Sequence, residues 1–182
     1  GSVTVIDPSK TRQRTGWPIP STSYGSGESP TNPPPERRAG GSDMAASDAV
    51  ATIRRDVRFH HPAHAVWGAV TDTASLDTWF PGLTACTQTD HVRTVTLGSG
   101  VSLPERIVTN DPLQRRLQYR IEAGPVRAHL ATLDVIDLGD DTCLGVYSTD
   151  AEPDVMALVI GAACGNALEE LRRQFDDGER TY

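Results

Sequence analysis

Six strand-forming runs lie between residues 85 and 149 with only turn residues between them, and few folds can accommodate that series. The runs are 85–90, 93–97, 101–109, 116–122, 126–137 and 142–149. Most are parted by residues that supply the backbone angles of tight turns: Gly98-Ser99-Gly100, Asn110-Asp111-Pro112, Gly124-Pro125 and Gly139-Asp140-Asp141. Parallel neighbours need a crossover of a dozen residues or more, usually helical, and no such pattern intervenes. The runs therefore predict an antiparallel meander. Upstream, residues 51–60 predict one more strand, with Ile53, Val57 and Phe59 as its apolar set. Pro62 then opens a helix over 63–71, whose buried side carries Val66, Trp67 and Val70. A second short helix is expected at 75–80, stopped by Pro81-Gly82.

The last element is a long helix from Pro153 to about Asp177. Met156, Ile160, Ala163, Ala167, Leu171 and Phe175 recur every three or four residues and make one apolar stripe. Gly161 to Gly165 are all small, so the middle of this helix is thin. A thin middle lets it lie close to a sheet or leaves room beneath it for a ligand.

A break in composition at residues 39–44 sets this domain apart from what precedes it. Residues 3–43 are rich in Pro, Ser, Gly and Thr and cannot bury enough apolar surface to fold alone. Ala39-Gly40-Gly41-Ser42 resembles a linker, Met44 a second start, and Gly1-Ser2 a cloning or protease scar. The expected division is thus 1–2, an extended segment over 3–43, and a domain over 44–182. Within 3–39, Val3 and Val5 lie in a short strand former, and Trp17, Ile19 and Tyr24 are large apolar anchors. These are expected to belong to a binding-partner peptide, fused through the linker to raise its effective concentration.

Charge and cysteine content narrow the function. From residue 44 onward twelve Arg stand against twenty acids, a net charge of −8, which disfavours nucleic acid as a partner. Cys86, Cys143 and Cys164 are odd in number, lack CxxC spacing and predict buried free thiols in a reducing cytoplasm. No apolar stretch is long enough to cross a bilayer. His60, His61 and His64 fit no metal-ligand spacing, so no metal and no cofactor are expected. No Gly-rich phosphate loop opens a helix, and no Gly-x-Ser-x-Gly elbow occurs.

Strand alternation predicts which side chains face inward. The sets are Val101, Leu103, Glu105, Ile107; then Leu117, Tyr119, Ile121; then His129, Ala131, Leu133, Val135; and Leu144, Val146, Ser148, Asp150. Glu105, Tyr119, His129, Ser148 and Asp150 are thereby candidate polar groups on an apolar inner surface. They would orient a ligand's polar end or, for Glu105 with His129, exchange protons.

Several short motifs recur here in a particular order: Ala65-Val66-Trp67 and Asp72, Leu76, Trp79-Phe80-Pro81, Glu105-Arg106-Ile107-Val108, Asp111-Pro112, Leu117-Gln118-Tyr119-Arg120-Ile121, Gly124-Pro125-Val126-Arg127, and Ala167-Leu168-Glu169-Glu170-Leu171. On these, residues 50–175 resemble the START-like helix-grip superfamily, in its polyketide cyclase/dehydrase branch. The resemblance implies an α+β helix-grip fold of about seven strands. A curved antiparallel sheet would wrap the C-terminal helix around an apolar cavity. It also implies that Trp79 and Phe80 sit at the cavity entrance, with Met156 and Ile160 on its helical side. Binding of a lipid, fatty acyl or polyketide-like molecule is the leading expectation, coupled to recognition of the 3–39 peptide. A cyclase, aromatase or dehydratase, and a pure interaction module for the tail of a membrane protein, are the alternatives.

Overall fold

The computed structural model describes residues 50–180. The expected peptide anchors Val3, Val5, Trp17, Ile19 and Tyr24 lie outside the described residues, as do residues 44–49. The elements run β1 (Ala51–Phe59), α1 (Ala63–Thr71), a 3-10 helix (Thr73–Thr78), β2 (Leu83–Thr89), β3 (Val92–Leu97), β4 (Ser102–Asp111), β5 (Arg116–Ile121), β6 (Ala128–Gly139), β7 (Thr142–Glu152) and α2 (Asp154–Asp176). The strands form one seven-stranded antiparallel sheet in the order β1-β7-β6-β5-β4-β3-β2. Only β1 leaves the meander, returning to pair with β7 from Ala51↔Ala151 to Phe59↔Cys143. The curved sheet and C-terminal helix make the α+β helix-grip arrangement expected from the motifs.

The core lies between the concave face of the sheet and the helices. Phe59, Val66, Leu133, Tyr147, Leu168 and Leu171 are all at most 2% exposed within it. Burial of such side chains stabilises by roughly 1.5–3 kcal/mol each. The β6–β7 hairpin turns at Asp140 and Asp141, both with positive φ (50° and 54°), as a two-residue turn that follows the sheet twist requires.

Three sequence expectations are corrected. On β7 the buried set is Cys143, Gly145, Tyr147, Thr149 and Ala151, so Leu144, Val146, Ser148 and Asp150 face outward. Both sets contain apolar residues, and the neighbours decide between them. Tyr147 lies opposite Leu133, and Thr149 opposite Ala131, on the buried side of β6. Gly145 is small because Phe59 lies over it: a Cβ there would stand 2.9 Å from Phe59 Cε2. On α2 the buried line over the first half is Ala157, Gly161 and Cys164, one residue round from the expected Met156, Ile160 and Ala163. Gly161 turns against Ile53 of β1, which rolls Met156 and Ile160 towards the sheet's open end. The short helix expected at 75–80 is the 3-10 helix two residues earlier.

Candidate functional site

The inward residues of β3, β4 and β5 do not meet α2 closely, and a cavity of about 270 Å³ remains between them. Its walls include Leu76, Phe80, Leu83, Val95, Leu103, Ile121, Met156, Ile160 and Ala163. Two wall residues, Val101 and Val159, are more than half exposed, so the cavity opens to solvent where they stand. Pro125 and Val126 of the β5–β6 loop complete this end. The wall holds one charged residue, Glu105, and one phenol, Tyr119.

Glu105 is 5% exposed and lies directly across the ladder from Arg93, itself 1% exposed. Arg93 Nε donates to Glu105 Oε2 at 2.6 Å. The guanidinium lies over the Tyr119 ring, 4.3 Å from its centre. Desolvation pushes the Glu105 carboxyl above its ordinary value, and Arg93 pulls it partly back. Desolvation works against the charge of Arg93, but Glu105 together with Tyr119 and Tyr147 outweighs it and keeps the guanidinium protonated. Tyr119 and Tyr147 share a hydrogen bond of 2.7 Å between their hydroxyls. Burial holds both phenols well above their usual range, so both stay neutral. Beside them Thr149 Oγ1 and Cys164 Sγ are 3.6 Å apart, and burial raises the thiol to about 11. Glu105 and Tyr119 thus stand in the cavity wall, while their partners, Arg93 and Tyr147, lie behind it.

His129 is on the buried face but not in the wall of this cavity. The β5–β6 ladder stops at Tyr119↔Ala131, and the His129 ring occupies the gap that opens beyond it. Its Nδ1 accepts from the backbone N–H of Ile121 at 3.1 Å, where a strand carbonyl would otherwise stand. The proton therefore sits on Nε2, which is buried without a hydrogen-bond partner among the described residues. Desolvation lowers its pKa to about 4. His129 is neutral in the fold and ionises more readily unfolded, so the unfolded chain binds the extra proton between pH 6.5 and 4. Stability is complete above pH 6.5 and falls as pH drops through this window, by up to about 3 kcal/mol. His129→Gln keeps an acceptor for Ile121 and removes that titration. Urea unfolding at pH 7 and pH 4.5 is expected to show a smaller acid loss in the variant than in the parent chain.

The structure brings Phe80, Glu105, Tyr119, Met156 and Ile160 into one cavity wall. Trp79 is 2% exposed and packed in the core beside Phe80, outside the wall. Ser148 and Asp150 are on the opposite face, where Arg54 Nε donates to Ser148 Oγ at 3.3 Å and Thr52 Oγ1 donates to Asp150. Glu105 and His129 make no bond to each other: the partner of one is Arg93 and of the other Ile121. Arg93 and Tyr147 were not expected at the site. Arg93 shares its alternation with Val95 and Leu97, and that pattern was the available signal.

Residues 50–176 match the family model described as polyketide cyclase/dehydrase and lipid transport. The chain belongs to that family. Curated protein sequences give no match. Among solved structures, the protein XoxI from Bacillus cereus is similar at 23% identity and a TM-score of 0.67, over 72% of this chain and 99% of that one. A START superfamily protein from Mycobacterium smegmatis is similar at 14% identity and 0.59, over 69% and 97%. Norcoclaurine synthase from Thalictrum flavum, solved in complex with dopamine and hydroxybenzaldehyde, is similar at 15% identity and 0.60, over 76% and 94%. At these identities the likeness shows the fold alone.

Proposed function

We propose that this family member binds a hydrophobic small molecule, a lipid, fatty acyl or polyketide-like compound, in the cavity between sheet and α2. One observation carries the reading: an apolar space of about 270 Å³, open to solvent, with a single charged side chain in its wall. Burying ligand carbon there contributes about 25 cal/mol per Å². Few converging polar groups in an apolar cleft is the usual make-up of such sites. Catalysis of the cyclase or dehydratase kind is the second reading, favoured by Glu105 alone. A carboxyl desolvated in an apolar wall is a general acid or base in waiting.

The partner reading belongs with this proposal. Residues 3–39 serve as a segment of a protein partner such as the cytoplasmic tail of a membrane protein; their apolar anchors and the Gly-rich joint at 40–42 support that role. Among the described residues no helix is long and apolar enough to cross a membrane. The three cysteines are free, which suits a reducing cytoplasm.

One preparation of residues 44–182 tests both parts. Native mass spectrometry of protein purified from its host is expected to show a co-purified apolar molecule, and an empty, non-binding cavity would sink the ligand reading. Titration with the 3–39 peptide is expected to shift amide resonances; silence at millimolar peptide removes the partner.

A further inference from the structure

The cavity wall offers a ligand only one charged group, and it is an anion. Arg93, which balances it, is sealed beneath Tyr119 and takes no part in the wall. Its Nη2 is buried and without a hydrogen-bond partner among the described residues, so no ligand in the cavity reaches it. Glu105 Oε2 is taken by Arg93 Nε, which leaves Oε1 as the acceptor that the wall presents. The Tyr119 hydroxyl is already engaged with that of Tyr147 at 2.7 Å, either of the two being the donor. From this geometry we infer that the cavity selects ligands whose polar end donates a hydrogen bond, an alcohol, phenol or amine, and rejects those ending in a free carboxylate. The inference rests on the proposed binding cavity and names the chemistry that cavity takes.

The physical reason is the cost of a second negative charge. A ligand carboxylate there would set a second negative charge beside the 5% exposed Glu105, with Arg93 alone among the described residues to balance both. A donor instead completes the acceptor capacity of a desolvated carboxylate whose only partner among the described residues is Arg93, and charge-assisted hydrogen bonds of this kind are the strong ones. Size fits as well. The space of about 270 Å³ equals about nine water volumes at ~30 Å³ each, which suits a chain of roughly eight carbons.

Three probes of equal chain length isolate the end group: 1-octanol, octylammonium and octanoate, titrated calorimetrically into the full chain at pH 7. Octanol and octylammonium are each expected to bind at least about fivefold more tightly than octanoate. A smaller ratio, or octanoate binding as tightly as either, overturns the inference and leaves the cavity reading standing. Failure of all three to bind overturns both. Glu105→Gln removes the anion and leaves the Arg93 charge unbalanced, so the order is expected to reverse in favour of octanoate. An unchanged order in that variant counts against Glu105 as the selector. Should Glu105→Gln fail to fold, the three affinities of the parent chain decide the matter alone.

Discussion

Arg93→Met is expected to destabilise the domain by about 3–5 kcal/mol at neutral pH, the usual loss when one member of a buried ion pair is removed. The volume change is small, so packing is nearly conserved and the effect is electrostatic. Glu105 would be left 5% exposed with no counter-charge. Its pKa, already raised by desolvation and held back only by Arg93, would climb further. An acid with a folded pKa above its unfolded one binds its proton more tightly in the fold. The deficit should therefore grow as pH rises from about 4.5 and shrink on acidification. Guanidinium unfolding of the single variants and of Arg93→Met/Glu105→Leu, measured as a cycle, checks this. The double variant is expected to recover most of the loss, because replacing both charges leaves nothing unpaired. A double variant no better than Arg93→Met would mean that Arg93 acts through its shape.

Gly161→Leu is expected to cost at least about 3 kcal/mol, the upper end for overpacked cores. A Cβ at this position would stand 2.4 Å from Ile53 Cγ2 and 2.7 Å from Ile53 Cβ. No side-chain rotation relieves the second contact, because that atom is fixed to the backbone of β1. The helix must back away from the strand, and Ala157 and Cys164 lose their packing with it. Gly161→Ala should cost less, since it brings only the Cβ against Ile53 and none of the further carbons of leucine. Adding Ile53→Ala is expected to rescue only in part, because its Cβ stays in place. Thermal unfolding of the series reports the order, and full rescue would show that the strand rather than the helix yields.

The two predictions mark where the sequence was legible and where it was not. Turn residues and period-2 runs placed all seven strands within two or three residues at most ends, because tight turns admit few residue types. Glu105 and Tyr119 were legible because they alternate with Leu103, Ile107, Leu117 and Ile121, which have no competing apolar set. On β7 that logic failed. Leu144 and Val146 look like an inward face, yet Cys143, Gly145 and Tyr147 are the buried one. His129 was placed on the correct face, but its partner, the Ile121 amide, depends on how far two strands splay. The burial of Arg93 is not legible in the sequence, because a guanidinium is almost never fully buried unless paired, and the pairing lies across a ladder.

Element order, antiparallel connection and the amphipathic closing helix all come from local rules of turn geometry and hydrophobic spacing, and the chain carries those rules in itself. Which face of β7 turns inward, how far α2 rolls on Ile53, and that Arg93 seals under Tyr119 while its carboxylate stays open to the cavity came only from the tertiary structure. A period of two or of 3.6 says that a face exists; the choice of face, and the charge it meets, is made by residues distant in sequence that pack against it.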